Sequence, residues 1–227
     1  MNENRSEKNA KGGITRLFPA AGSGDASNGD FVPKREYDEL SVMYDTVVMH
    51  ATSLENDLEE KLQEITRLSN TDAVTGVYNR RKFNECLAEE MTASLKKGRP
   101  LSLIIFDIDN FKAINDTRGH DYGDHVIIRT AKLAKSCITE RDVFARWGGD
   151  EFAVIIPSAG VEQGVKAARE MQERILGYYS GQAAVTCSFG VTELAEGDDM
   201  NSFLIRADSA LYEAKSAGRN CVKSKIR

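Results

Sequence analysis

Two adjacent glycines followed at once by two carboxylates constrain the fold of this chain more than any other feature. The stretch 146–152 reads RWGGDEF and stands between short apolar runs. Paired glycines between such runs predict a tight hairpin, because both glycines can adopt positive φ angles. They also leave backbone amides open to a phosphate, while Asp150 and Glu151 supply the hard oxygen ligands that Mg²⁺ prefers. The alternative is an acidic surface hairpin, since Gly and Asp are ordinary turn residues.

A second acidic motif, FDIDNFK, follows the apolar run Leu101 to Ile105. The length and β-branched content of that run predict a buried strand, which places Asp107 at the strand's end. If Asp107 meets Asp150 and Glu151 in space, their like charges raise carboxylate pKa values unless a divalent cation binds between them. A helix N-cap or turn is the alternative for Asp107. For Asp109 it is the favoured interpretation, because the strand is expected to end here and the side chain to point out into the turn.

Three further segments complete the pattern, and they read DAVTGVYNRR, NDTRGHDYGD and LYEAKSAGRN. Together with the two acidic motifs they resemble the GGDEF family, the diguanylate cyclases, in order and spacing from about Asn70 to Val222. Val74 and Val77 stand where leucines are usual, and both departures are conservative. The resemblance implies an enzyme that joins two GTP molecules, one per subunit, into cyclic di-GMP with loss of two pyrophosphates.

The resemblance implies that the acidic motifs hold Mg²⁺ or Mn²⁺. The ligands would be Asp107, the Ile108 carbonyl, Asp150 and Glu151. The 3′-hydroxyl of one GTP would attack the α-phosphorus of the other in line. Either Asp150 or Glu151 could assist deprotonation of that hydroxyl, and the sequence does not choose between them. A rival interpretation is a degenerate domain that binds a nucleotide or a partner without catalysis. Hydrolysis of cyclic di-GMP would need a second domain.

The segment Asn115 to Asp124 is predicted to be a loop, because it is rich in Gly, Asn and Asp, and it leads into a helical run from His125 to Ser136. It resembles the family's guanine-reading loop. A carboxylate such as Asp124 can accept from the guanine N–H donors, while the Asn115 amide can both donate and accept. Composition alone favours Asp124 as the N-cap of the following helix.

A helical pattern that begins near Asn201 ends with two cations four residues apart, Lys215 and Arg219. That spacing puts both on one helical face, and Gly218 is suited to end the helix and turn Arg219 back. The alternative is a solvated helix end whose cations favour the helix dipole. By resemblance, Lys215 and Arg219 contact the triphosphate, and Lys112 is a third, catalytic cation. The implied substrate contacts are Asn115, His120, Asp124, Gly148, Gly149, Lys215 and Arg219.

One departure from the family pattern concerns product inhibition. Many relatives carry Arg-x-x-Asp just upstream of the signature, where both residues bind cyclic di-GMP and inhibit the enzyme. Here the segment reads TERD, so Asp142 is in register but Thr139 stands at the arginine position. A hydroxyl cannot make a bidentate, charge-assisted contact, and Arg141 projects in another direction. We therefore predict weak or absent product inhibition.

Outside the motifs, helical and strand patterns alternate. This alternation predicts an α/β domain with a mixed central sheet flanked by helices, here on one face, similar to the ferredoxin-like palm of nucleotidyl cyclases and polymerases. The predicted helices cover residues 79–97, 125–136 and 161–179 and a last segment from 201, and the predicted strands begin at 101 and cover 143–145, 152–156 and 183–191.

The predicted domain covers residues 70–227. Upstream of it, the chain has two different parts. Residues 1–33 are rich in Asn, Ser, Gly, Lys and Ala and are predicted to be disordered. Residues 34–69 predict a coiled-coil helix that dimerises the chain, with apolar steps of three and four at Leu40, Tyr44, Val47, Ala51, Leu54, Leu58, Ile65 and Leu68. Leu62 beside Lys61 indicates a four-residue stutter. The alternative is an amphipathic helix that packs on its own domain.

Composition bounds the remaining functions. The 227 residues are 41% hydrophobic and 29% charged, which suits one core with extensions, and the net charge of -5 argues against nucleic-acid binding. Four cysteines and three histidines show no zinc-type spacing, which predicts reduced thiols. No apolar run approaches the roughly twenty residues of a membrane span, so we expect a cytoplasmic protein without membrane insertion. The input signal would then come from an unknown sensor protein or through the N-terminal tail.

Overall fold

The computed structural model describes residues 34–180 and 185–227, so the predicted disordered tail lies outside the described residues. The chain divides into two compact units, residues 1–65 and 66–227. Helix α1 (Lys34–Asn70) begins in the first unit and ends in the second.

Helix α1 is 37 residues long and carries the predicted apolar stripe on its surface. Leu54, Leu58 and Ile65 are 67%, 58% and 62% exposed. An exposed apolar stripe of this length is a surface that a second helix can cover. No helix within the two described ranges combines the length and apolar character that a membrane span requires.

The second unit contains six strands and five further helices in the described residues. In chain order they are β1 (Tyr78–Asn79), α2 (Arg80–Lys97), β2 (Leu101–Ile108), α3 (Phe111–Arg118), α4 (His120–Lys135), β3 (Val143–Gly148), β4 (Glu151–Pro157), α5 (Val161–Tyr179), β5 (Cys187–Glu193), α6 (Met200–Ser216) and β6 (Val222–Ser224). The prediction of an α/β domain is confirmed, and α5 has the predicted bounds.

The six strands form one mixed sheet in the order β1-β3-β4-β2-β5-β6. Strand β2 pairs antiparallel with β4 and β5, and β3 pairs antiparallel with β4. The two edge strands are parallel to their neighbours, β1 to β3 and β6 to β5. All eight residues of β2 are buried, because this strand is central and covered on both faces.

Alternate side chains of β2 enter two separate cores. Ile104 and Phe106 pack in one core with residues of α4 and α5, and Leu103 and Ile105 pack in the other with residues of α2 and α6. Helices therefore cover both faces of the sheet, and the expectation of helices on one face is wrong. An apolar run without polar alternation, such as 103–106, is typical of a strand buried on both sides.

Two predicted element boundaries are also wrong. The predicted loop at 115–124 is largely helical, since α3 extends to Arg118 and α4 begins at His120 instead of His125. Gly119, at φ 83°, is the break between these helices. Strand β5 begins at Cys187 instead of Ala183, because its partner β2 ends at Ile108, which is paired with Cys187.

A buried ion pair fixes the start of α6 to the end of β5. Arg206 binds the carboxylate of Asp198 and also donates to the hydroxyl of Thr192 at 2.8 Å and the carbonyl of Glu193 at 2.9 Å. The Asp198 side chain is 4% exposed. Its hydrogen bonds from Arg206 outweigh burial and lower the pKa of Asp198 below the usual value.

Candidate active site

The signature hairpin joins β3 to β4 through a turn at Gly149 and Asp150. Gly148 pairs with Glu151, and the register shifts between Arg146 and Gly148, which marks a bulge at this end of β3. Gly149 has a φ of 50°, whereas Gly148 does not adopt a positive φ. The predicted hairpin is therefore confirmed, but only one of its two glycines uses the left-handed region.

A salt bridge that the sequence patterns did not reveal holds this turn in place. The Nε of Arg146 donates to the carbonyl of Gly149 at 2.8 Å, and its Nη1 binds both carboxylate oxygens of Asp72, at 3.1 and 3.3 Å. Thr75 also donates to Asp72 through its amide and its hydroxyl. Burial alone would raise the pKa of Asp72, but the hydrogen bonds from Thr75 and Arg146 lower it below the usual value.

Asp107 lies at the end of β2, directly opposite Glu151 on β4 and Ser188 on β5. It is 7% exposed, and the ammonium group of Lys215 lies 2.9 Å from its Oδ2. Burial and the charges of Asp150 and Glu151 raise the pKa of Asp107 to about 6, although Lys215 acts in the opposite direction. The three predicted carboxylates therefore influence one another at one end of the sheet.

These residues have the chemistry of a divalent-cation site. Among the residues that the structure describes, no three His, Cys, Asp or Glu side chains form a ready-made metal cluster. The fit instead rests on the donor set, because Asp107, Asp150 and Glu151 are hard oxygen ligands. Burial first, and then the charges of Asp150 and Glu151, raise the pKa of Asp107, and a bound cation would offset both effects. The amide of Ile108 donates to the carbonyl of Asp150 at 3.3 Å, so the turn is joined to the end of β2.

The residues predicted to read a base lie on α3 and α4. A Cβ added at Gly123 would lie only 1.8 Å from Oδ1 of Asn115, so Gly123 allows the two helices to approach closely. Apolar side chains of both helices also pack in or against the core of the domain, which explains why a segment rich in turn-forming residues is helical. Asn115 Oδ1 is buried without a hydrogen-bond partner, while Asp124 and His120 are exposed. Asp124 lies inside α4, so it is not the helix N-cap.

The predicted phosphate-binding cations lie near the end of α6 and the start of α3. Lys215 is in the last turn of α6, which ends at Ser216. Arg219 therefore does not share a helical face with Lys215, contrary to the prediction. The chain turns back at Gly218, at φ 107°, and the amide of Arg219 donates to the carbonyl of Ala214 at 3.1 Å. Lys112 is exposed in the first turn of α3.

Residues 69–221, about two thirds of the chain, match the family model described as diguanylate cyclase, GGDEF domain. The chain belongs to the GGDEF family.

Curated and structural relatives agree with this family. The chain is similar to the diguanylate cyclase VdcA of Vibrio cholerae, at 38% identity over 77% of the chain and 52% of VdcA. It is also similar to the response regulator PleD of Caulobacter vibrioides, at 35% identity over 82% of the chain and 42% of PleD. The chain thus spans about half the length of these curated relatives.

One solved GGDEF structure that resembles the chain is the coiled coil and GGDEF domain of DgcB from Caulobacter crescentus, in complex with c-di-GMP. The TM-score is 0.74 and the identity 30%, over 80% of this chain and 98% of that one. A second is the diguanylate cyclase SiaD of Pseudomonas aeruginosa in complex with its activator SiaC, with a TM-score of 0.67 and 26% identity over 98% of this chain and 81% of that one.

Asp109, in the second acidic motif of this GGDEF domain, has a role that the sequence patterns missed. The N-cap of α3 is Asn110, so the N-cap role is wrong, whereas Asp109 does lie in the turn that follows β2. Its side chain is nevertheless only 5% exposed. Its carboxylate accepts from the hydroxyls of Ser188 and Thr186 and from the amide of Asn220. Thr186 and Ser188 are hydroxyl residues two positions apart at an otherwise apolar strand, and this pattern could have predicted a buried polar partner.

The segment that departs from the family pattern forms a closed turn. The amide and hydroxyl of Thr139 donate to Oδ2 of Asp142, at 2.7 and 2.9 Å. The amide of Asp142 in turn donates to the carbonyl of Thr139 at 3.1 Å. Both residues line a cavity of about 460 Å³ that Tyr78 and Lys135 also line. One carboxylate oxygen of Asp142 is thus already engaged by Thr139.

Proposed function

We propose that this chain condenses two GTP molecules into cyclic di-GMP and releases two pyrophosphates. The observation that carries the proposal is the position of Asp107 directly opposite Glu151, beside the Gly149–Asp150 turn. At this end of the sheet Lys215 contacts Asp107, and α3, which carries Lys112 and Asn115, begins three residues after β2 ends. The match to relatives named diguanylate cyclases supports the same activity.

Mg²⁺ or Mn²⁺ would be held by the carboxylates of Asp107, Asp150 and Glu151, with the Ile108 carbonyl as an additional ligand. When bound, the cation offsets the charge that the triphosphate and the leaving pyrophosphate carry. The two positive charges of a divalent cation near three carboxylates would also lower the raised pKa of Asp107. Lys215 now provides the positive charge closest to that carboxylate, so ligand binding would release its ammonium group for the phosphates.

Asn115 and Asp124 would select guanine. An exposed Asp124 carboxylate accepts from the guanine N1–H and N2–H groups, and Asn115 contributes an amide whose buried Oδ1 has no hydrogen-bond partner. His120, exposed at the start of α4, would line the same site. Polar groups that a bound base buries reject the wrong base by roughly 10⁴-fold, because a mismatch leaves them unpaired.

The triphosphate would be held by Lys112, Lys215 and Arg219 and by the backbone amides of Gly148 and Gly149. Cβ atoms added at these glycines would meet no atom within 4 Å, so the turn has open space on its outer side. Backbone amides in a turn that is free of side chains can donate directly to phosphate oxygens. Three closely spaced carboxylates would repel the negative charge of the triphosphate. The cations neutralise part of that charge.

In each of two equivalent steps, the 3′-oxygen of one GTP forms a bond to the α-phosphorus of the other. The α–β phosphoanhydride bond breaks and pyrophosphate leaves with its electron pair, in line with the attacking oxygen. The proton of the 3′-hydroxyl passes to a nearby carboxylate, with Asp150 and Glu151 as the alternatives. After two steps both 3′,5′ linkages are formed, so a single domain supplies only half of the reaction.

Two facing domains are therefore required, and we assign their pairing to the exposed stripe of α1. A helix with apolar side chains more than half exposed along its length is stabilised by a second copy of the same helix. Homodimerisation of this kind would let a sensor protein control the rate through the geometry of the pair. A cytoplasmic location remains a prediction.

The test is to incubate the purified chain with GTP and Mg²⁺ and to identify the product by mass spectrometry. Cyclic di-GMP with two equivalents of pyrophosphate is the expected result. GTP binding measured by calorimetry without any product would instead support the degenerate, nucleotide-binding interpretation. ATP in place of GTP is the control for base selection and should give no cyclic dinucleotide.

A further inference from the structure

Asp109 connects three parts of the chain through one buried carboxylate. Its Oδ1 accepts from the hydroxyl of Ser188 at 2.6 Å, and its Oδ2 accepts from the hydroxyl of Thr186 at 2.7 Å and from the amide of Asn220 at 3.0 Å. The backbone amide of Asp109 also donates to the carbonyl of Thr186 at 2.8 Å. The end of β2 is thereby fixed both to the segment before β5 and to the loop between α6 and β6.

That loop has an unusual backbone. Gly218, Arg219 and Asn220 all have positive φ, at 107°, 67° and 44°. Asparagine adopts the left-handed region more readily than most residues, but arginine is rare there, and three successive residues with positive φ require surrounding contacts to hold them. The contacts here are the bond from the Asn220 amide to Asp109, the bond from the Arg219 amide to the carbonyl of Ala214, and the bonds from Gln172 to Asn220.

We infer that Asp109 is a positioning residue that fixes the conformation of the 217–221 loop and so aims Arg219 at the triphosphate. The part of this inference that concerns the triphosphate rests on the proposed function. Asp107 and Asp109 stand two residues apart on one strand end, and each holds one of the two cationic elements. Asp107 binds the side chain of Lys215, and Asp109 binds the backbone next to Arg219.

A carboxylate suits this task because it only accepts hydrogen bonds, and three donors converge on it. A charged acceptor also makes stronger hydrogen bonds than a neutral one. In Asp109→Asn, the remaining oxygen can still face the Asn220 amide, because the hydroxyl of Ser188 can rotate to accept from the new NH₂ group. Asp109→Ala removes all three acceptor contacts. The two variants should therefore differ in degree.

The matched control is Ser188→Ala, which removes a hydrogen bond to the same carboxylate but leaves the link to Asn220 intact. The first measurement is hydrogen–deuterium exchange of a peptide that covers residues 217–221, which requires no activity. Asp109→Ala should accelerate exchange of this peptide about tenfold or more, Asp109→Asn less, and Ser188→Ala little, because only the first frees the Asn220 amide completely. If Asp109→Ala does not fold, Asp109→Asn is compared with Ser188→Ala.

The second measurement is the KM for GTP in a double-mutant cycle with Arg219→Ala. Asp109→Ala should raise KM roughly tenfold in the otherwise unmodified chain and cause no further rise when Arg219 is absent, since the two changes affect one interaction. Equal effects in both backgrounds would show a merely structural role and overturn the inference, as would unchanged exchange of the loop. If the unmodified chain makes no cyclic di-GMP, the proposed function fails, and the exchange comparison alone decides whether Asp109 fixes the loop.

Discussion

The ammonium nitrogen of Lys215 lies 2.9 Å from Oδ2 of Asp107, at the end of the central strand. A lysine of the proposed phosphate-binding set thus provides positive charge to a carboxylate of the proposed metal-binding set. If these assignments are correct, cation binding and release of Lys215 are linked events. Residues that separate sequence motifs define are therefore in direct contact at this position.

We predict that Asp107→Asn abolishes activity but stabilises the metal-free protein at neutral pH. The folded pKa of Asp107 is about 6, compared with about 3.9 in unfolded chains, so the folded state loses stability as the pH rises from about 4 to 6. The variant removes this loss, which is about 3 kcal/mol for a pKa difference of about two units; the folded pKa already includes the contact with Lys215. Thermal denaturation in EDTA at pH 4.5 and 7.5 measures it, and a variant that is less stable at pH 7.5 would contradict the prediction. Mg²⁺ should raise the Tm of the unmodified chain only.

Asp150→Asn should abolish synthesis and leave the fold intact. A neutral amide is a poor replacement for a carboxylate that faces Mg²⁺ and a triphosphate. The loss in kcat is expected to be about 10³-fold or more. Product formation is followed by chromatography, and circular dichroism checks the fold. Asp208→Asn, an exposed substitution on α6, is the control and should retain activity; near-normal activity of Asp150→Asn would remove Asp150 from the metal site.

Deletion of residues 1–68 should lower specific activity at low protein concentration. The deletion removes the exposed stripe of α1 but keeps Ser69 and Asn70, which hydrogen-bond to Arg81. Weaker association reduces the fraction of facing domains by mass action, so activity should recover as concentration rises. A double substitution in the full chain, Leu54→Asp with Leu58→Asp, tests the stripe itself. Full specific activity of the truncated chain at nanomolar concentration would show that α1 is not the dimerisation element.

Thr139→Arg should strengthen inhibition by cyclic di-GMP, which we expect to be weak or absent in the unmodified chain. The substitution frees Asp142 from the hydroxyl contact of Thr139 and supplies a guanidinium that can bind a phosphate or guanine edge bidentately. Initial rates with added cyclic di-GMP, together with calorimetry of the nucleotide-free protein, measure the change. Glu140→Arg places the same charge one position away as a control. Submicromolar inhibitory binding to the unmodified chain would refute the prediction.

Asp198→Asn should destabilise the fold by roughly 2–4 kcal/mol at pH 7, because it leaves the guanidinium of Arg206 buried without its carboxylate. Since the folded pKa of Asp198 is lowered, the ionised carboxylate stabilises the fold above about pH 4 and this contribution is lost as the pH falls through the folded value. The difference between variant and unmodified chain should therefore shrink at pH 3. Urea denaturation at both pH values measures it, with exposed Glu196→Gln as the control. A difference that is independent of pH would contradict this account.

The sequence predicts the parts of the site that depend on local pattern. An apolar run followed by Asp107 gives a strand end, and two glycines between apolar runs give a hairpin, because side-chain alternation and backbone freedom act over a few residues. Helix α5 was predictable with its bounds for the same reason, since its apolar side chains recur at helical spacing.

Contacts between distant segments were not predictable in this way. Asp109 meets Asn220 across 111 positions, and Arg146 meets Asp72 across 74. Local propensity also failed at 115–124, where Asn, Asp and Gly favour a loop but the close approach of Asn115 and Gly123 stabilises two packed helices. Tertiary packing there outweighs intrinsic preference, which differs by only about 1 kcal/mol per residue.

The guanidinium of Arg146 donates hydrogen bonds to two segments. One bond goes to Asp72, two residues after α1 ends, and the other to the carbonyl of Gly149 in the signature turn. A displacement of the chain at Asp72 must therefore either break this contact or move the turn. Because coupling free energies are reciprocal, the link through Arg146 acts equally from α1 to the turn and from the turn to α1. In the proposed enzyme, a nucleotide that favours one position of the turn would therefore shift the end of α1. The coupling free energy would be the same as that by which a shift of the end of α1 favours this position of the turn.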